Sequence, residues 1–117
     1  MIRPGALVIV HLIHPTEKFW GLLQELGVAG VMLRGINVSS FDDWMAQAAR
    51  PGDQTLGLST MFVPLFRVER IFLDEPVGEV ESYRQRFRQR VGVNVERYLG
   101  LGEEEARGEE EPSEVPS

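Results

Sequence analysis

The feature that most constrains this chain is a succession of short apolar runs from Ala6 to Leu73, each stopped by turn-forming residues. Ala6–His14 is rich in Val, Ile and Leu and has no helical period, so it reads as a strand buried on both faces. Pro15-Thr16-Glu17 makes a turn, and Lys18–Leu26 is a second strand. Gly21 lies inside that strand, where a glycine marks bending or close backbone approach. Gly27-Val28-Ala29-Gly30 connects to a third strand, Val31–Val38, so the first three strands form a meander. Leu56–Pro64 is the fourth strand and ends at Pro64, which has no N–H to give to a ladder. Leu65-Phe66-Arg67 is a tight turn, and Val68–Leu73 is a fifth strand closed by Asp74-Glu75-Pro76.

Two segments break the strand rhythm. Ser39-Ser40-Phe41-Asp42-Asp43-Trp44 has the marks of a helix start: a serine to cap free N–H groups and aspartates at the positive end of the dipole. This insertion, residues 39–50, carries Phe41, Trp44, Met45 and Ala48 on one face and stops at Pro51-Gly52. From Val77 to Val91 the period is again helical, with Val80, Tyr83, Phe87 and Val91 on one stripe. Arg84 and Arg88 flank one side of that stripe, Arg86 and Arg90 the other, and Gln85 and Gln89 face away. Asn94–Leu99 is a further short turn of helix. The expected organisation is a small β-barrel domain over residues 1–76, a C-terminal helical extension over 77–101, and a disordered acidic tail over 102–117.

The strand pattern resembles the Sm-like small β-barrel superfamily over roughly residues 6–73. His11–Leu33 is similar to the first Sm motif, with Trp20-Gly21-Leu22-Leu23 as its aromatic-Gly-Leu-Leu second strand. Phe62-Val63-Pro64-Leu65-Phe66-Arg67-Val68-Glu69-Arg70-Ile71 has the spacing of the second motif. The resemblance implies a mainly β fold with added helices: a five-stranded barrel, a helical insertion between strands 3 and 4, and a C-terminal amphipathic helix. It also implies a habit of joining the fourth and fifth strands of different subunits. The family's RNA site does not carry over. Gly27-Val28-Ala29-Gly30 stands where RNA-binding members place an Asp and a Met-Asn pair, and Pro64-Leu65 stands in place of Arg-Gly.

Charge is divided unevenly. The formal charge of −6 equals that of residues 103–117, where seven glutamates face Arg107. Residues 1–81 carry −4 and residues 82–102 carry +4. The acidic total therefore does not exclude a nucleic-acid partner, and the Glu-rich tail is expected to shield the arginines that precede it. Eleven of the twelve basic residues are arginine, which chain-wide composition bias explains without any dedicated site. The chain has no cysteine, which excludes a disulfide scaffold, a thiol nucleophile and a thiolate metal site. Arg3 precedes the first apolar run, but His11 and His14 interrupt it, no small-residue cleavage site follows, and it is far shorter than a membrane span. A cytoplasmic location is expected, with no membrane association.

No catalytic, cofactor or metal residues are assigned. His11 and His14, three apart on a strand, point to opposite faces and have no third ligand beside them. Asp42 and Asp43 diverge by about 100° on a helix, and the helix start accounts for both. Trp20, Trp44, Phe62 and Phe66 are assigned to the core. Leu7–Ile13 and Leu58–Val63 are apolar on both faces, which requires cover either from the two helices or from another subunit. Arg84, Arg86, Arg88 and Arg90 are the candidate contact residues for a partner or for nucleic acid, the alternative being that they dock the helix onto the acidic body. The reading is a non-enzymatic protein-interaction or scaffold module, self-assembling through strand edges. RNA or DNA binding through the arginine-rich helix is the alternative.

Overall fold

The computed structural model describes residues 1–50, 52 and 56–100. The expected stop at Pro51 and the tail over 102–117 lie outside the described residues. The protein is mainly β. Five antiparallel strands form one sheet: β1 (Leu7–Leu12), β2 (Glu17–Leu26), β3 (Gly30–Asn37), β4 (Ser59–Pro64) and β5 (Val68–Leu73). Their spatial order is β4-β3-β2-β1-β5. Three helices accompany them: α1 (Phe41–Ala48), between β3 and β4, and α2 (Tyr83–Val91) and α3 (Val95–Tyr98), which follow β5.

The sheet is open, yet its edge strands β4 and β5 converge at one corner, because only the 3₁₀ turn Leu65–Arg67 separates them in the chain. Arg67 fastens this corner. Its Nε donates to the Ile13 carbonyl at 2.9 Å, and its Nη2 donates to the Pro15 carbonyl at 2.7 Å and to Glu17 Oε1 at 3.0 Å. Two glycines allow the bend. Gly21 and Gly35 are direct partners across β2 and β3, and a Cβ on Gly21 would run into the Arg34 carbonyl while one on Gly35 would run into that of Trp20.

Strand alternation then creates two cores. On the inner face of the curled sheet, Val8, Val10, Leu12, Leu23, Val31, Leu33 and Val63 are buried together. On the outer face, Leu7, Trp20 and Ile36 are covered by Phe41, Trp44 and Met45 of α1, Phe87 of α2 and Val95 of α3. The helices thus supply the cover that the two-faced apolarity of β1 demands. The C-terminal helices share a core with the sheet instead of standing apart from it.

Several expectations need correction. The 3₁₀ turn Val38–Ser40 precedes α1 and is capped by Asn37, whose Oδ1 accepts from the Ser39 N–H at 2.9 Å; Ser40 makes no side-chain cap. Helix α2 starts at Tyr83, not Val77, because Ser82 and Gln85 form a reciprocal capping box there. Val80 therefore falls in a turn before the helix and is 70% exposed. Trp20 and Trp44 are core residues, but Phe62 is 53% and Phe66 80% exposed. Phe62 sits on the outer face of an edge strand beyond the helices, and Phe66 sits in the corner turn.

Candidate functional site

The site is built around α2 and the two edges of the sheet. Asp74 joins them. It follows β5, is buried, and accepts three hydrogen bonds: from Trp20 Nε1 at 2.9 Å, from the Tyr83 N–H at 2.8 Å and from the Arg84 N–H at 3.0 Å. A carboxylate here satisfies an indole in the core and two otherwise free amides at the positive end of a helix. Ser82 and Gln85 satisfy further groups at the same end. At the other end Gly92, at φ 95°, gives the left-handed C-cap, its N–H donating to the Arg88 carbonyl.

The four candidate arginines meet different fates. Arg84 Nη2 pairs with Glu96 of α3 at 2.6 Å. Arg86 pairs with Asp42 of α1 and lies over two rings, 5.5 Å from the centroid of Phe41 and 5.3 Å from that of Tyr83. Arg88 donates to Asn94 Oδ1 at 3.2 Å. Arg90 is exposed and has no ion pair among the described residues. The four do not form one binding face: two are drawn into helix–helix contacts. Burial raises the Tyr83 hydroxyl pKa above its usual 10.0, and the nearby Arg86 works in the opposite direction. A cleft of about 340 Å³ runs beside α2, between Asp74, Arg88 and Asn94, and the Arg84–Glu96 pair contributes to its wall.

His11 lies on β1 between Lys18 of β2 and Arg70 of β5, the three forming one cross-strand row. Its ring meets that of Phe72 edge-on, with centroids 4.9 Å apart. Burial, then the positive charges of Lys18 and Arg70, lower its pKa from 6.5, and Glu69 opposes the shift. His14 stands in the turn after β1. Among the described residues no group of three His, Asp or Glu side chains is placed to hold a metal ion, and no helix is long and apolar enough to cross a membrane.

Both sheet edges are unpaired. Among the described residues β4 bonds only to β3, and β5 only to β1. Each carries an exposed ring on its outer face, Phe62 on β4 and Phe72 on β5, the latter 42% exposed. Sequence reasoning missed Phe72 and the free phase of its strand; the alternation Val68–Leu73 was visible, but not which side of the sheet it would border. Comparison with protein-family models, with curated proteins and with solved structures gives no match.

Proposed function

We propose that this protein is a non-enzymatic interaction or scaffold module, with the curled sheet acting as a small Sm-like barrel that self-assembles through its strand edges. One observation carries the reading: two open edges each present unpaired backbone groups together with an exposed phenylalanine. Edge strands of this kind are normally blunted by charge, proline or a covering element. On the outer face of β4, Thr60 and Phe62 offer no charge. On β5 the only charges are the adjacent Glu69 and Arg70, which pair with each other at 3.6 Å. Light scattering on the full chain over a range of concentrations tests the reading. Assembly above the monomer is expected, weakened by Phe62→Lys or Phe72→Lys. A strict monomer at all concentrations, insensitive to both substitutions, defeats it.

Nucleic-acid binding through α2 is the second reading, and the exposed Arg90, which has no ion pair among the described residues, supports it. Phosphate contacts make such binding fall steeply with salt. A salt titration with a single-stranded and a double-stranded oligonucleotide distinguishes it from assembly.

A further inference from the structure

Lys18, His11 and Arg70 stand side by side on β2, β1 and β5, and both Lys18 and Arg70 are exposed. Like charges directly opposite one another across strands are destabilising. Yet this row sets two permanent cations around an imidazole with little to neutralise them. Among the described residues Lys18 has no ion pair, and Arg70 meets only its chain neighbour Glu69, at 3.6 Å, longer than a hydrogen bond. Glu69 belongs to the opposite face of β5 by strand alternation.

The three side chains converge. The Leu23 N–H donates to the Ala6 carbonyl at 2.9 Å, which sets the phase of the β1–β2 ladder. Hydrogen-bonded and non-bonded pairs alternate from there, so His11 and Lys18 form a non-bonded pair, the kind in which side chains approach most closely. Neighbouring strands lie about 4.8 Å apart, so Lys18 and Arg70 start about 10 Å from each other with His11 midway. Both have long stems, and one anion above the imidazole is within reach of all three. Beside that point lies the Phe72 ring, 42% exposed, its centroid 4.9 Å from that of His11.

Cations next to an aromatic platform suit a phosphate carried on a planar base, since every nucleobase has a face that stacks on a ring. The row has room for one phosphate. It stops at the sheet edge beyond Arg70 and at the 3₁₀ turn Val38–Ser40 beyond Lys18. Toward the corner turn, Arg67 is already held by Glu17 at 3.0 Å, and beyond Phe72 the chain turns acidic at Asp74 and Glu75. A longer polyanion would run onto those carboxylates, and a single nucleotide would not.

We propose that the row Lys18, His11 and Arg70, with Phe72, binds a nucleoside monophosphate, its phosphate over His11 and its base against the Phe72 ring. The lowered pKa of His11 agrees: after burial its causes are Lys18 and Arg70, opposed by Glu69, and a bound phosphate would counter both cations. This site is separate from the arginines of α2 and does not depend on assembly.

The chain has two histidines, so NMR of the imidazole signals in the full chain reads the site directly. Adenosine 5′-monophosphate and uridine 5′-monophosphate at millimolar concentration are each expected to move the signals of His11 and leave those of His14 in place. His11 is expected to hold its proton about tenfold more tightly with nucleotide bound. Lys18→Ala and Arg70→Ala are each expected to weaken nucleotide binding about tenfold, with Lys18→Arg restoring most of it. Phe72→Leu is expected to weaken nucleotide binding about tenfold while leaving that of inorganic phosphate unchanged. Lys18 is exposed and lies off both sheet edges, so Lys18→Ala is expected to fold and to scatter light as the wild type does. Inorganic phosphate or adenosine alone binding as tightly as the nucleotides overturns the proposal. So does a His11 signal that does not respond, a response that survives Lys18→Ala, or binding lost with Arg90→Ala instead. Assembly is read separately by light scattering and stands or falls on its own.

Discussion

Replacing Asp74 by alanine removes the one side chain that ties the end of β5, the core indole of Trp20 and the start of α2 together. The cost has two parts. Trp20 is fully buried, so its Nε1–H would lose its acceptor in a place water does not reach, at about 1–3 kcal/mol. The Tyr83 and Arg84 amides would lose an anionic cap, at about 1–2 kcal/mol. Together the loss is about 3 kcal/mol, which for a domain of this size lowers Tm by about 12–24 °C. Asp74→Asn keeps one acceptor oxygen but turns an amide toward a donor, and is expected to fall between alanine and wild type. The assay is urea unfolding followed both by tryptophan fluorescence and by far-ultraviolet circular dichroism. A cycle with Trp20→Phe isolates the indole bond: without the Nε1–H, Asp74→Ala is expected to cost about 1–2 kcal/mol less. An Asp74→Ala protein within about 0.5 kcal/mol of wild type, or a cycle with no coupling, refutes the reasoning.

Other expectations follow from single contacts. Gly21→Ala forces a methyl against the Arg34 carbonyl between paired strands and is expected to destabilise by about 1–3 kcal/mol, measured by the urea midpoint. Because the His11 pKa is lowered in the folded state, unfolded chains take up the proton first as pH falls; His11 should therefore cost stability as pH drops through 6.5, and the fall between pH 7.5 and 5 should be shallower in His11→Gln. Ser82→Ala breaks one arm of the capping box and is expected to cost about 1 kcal/mol, with hydrogen exchange of α2 rising before that of the strands.

Strand positions were legible because their stops are local. Pro15, the Gly27–Gly30 turn and Pro64 lie within a few residues of the ends they set, and β5 ran over the expected residues. The start of α2 was legible too, in Ser82-Tyr83-Arg84-Gln85, but the stronger 3.6-residue spacing pointed back to Val80. Apolarity alone misplaced Phe62 and Phe66, since it cannot distinguish a central strand from an edge. The bond between Trp20 and Asp74 spans 54 residues and the pair between Arg86 and Asp42 spans 44, and no local pattern encodes which distant partner the fold will deliver.

The arginines of α2 separate by what each already holds, and that separation tests the helix itself. Arg86 sits between Asp42, Phe41 and Tyr83, so Arg86→Ala loses a solvent-screened ion pair and two ring contacts, about 1 kcal/mol in all. Arg90 holds nothing among the described residues, so Arg90→Ala is expected to leave stability within about 0.5 kcal/mol. If α2 contacts a polyanion, Arg88→Ala with Arg90→Ala removes salt-dependent oligonucleotide binding while the unfolding midpoint barely moves. If α2 is only a docking helix, that double substitution changes neither quantity, and Arg86→Ala alone moves the midpoint. Binding that survives the loss of Arg88 and Arg90 but disappears with Arg86 would contradict the division, because a guanidinium committed to Asp42 would then be the one that meets the ligand.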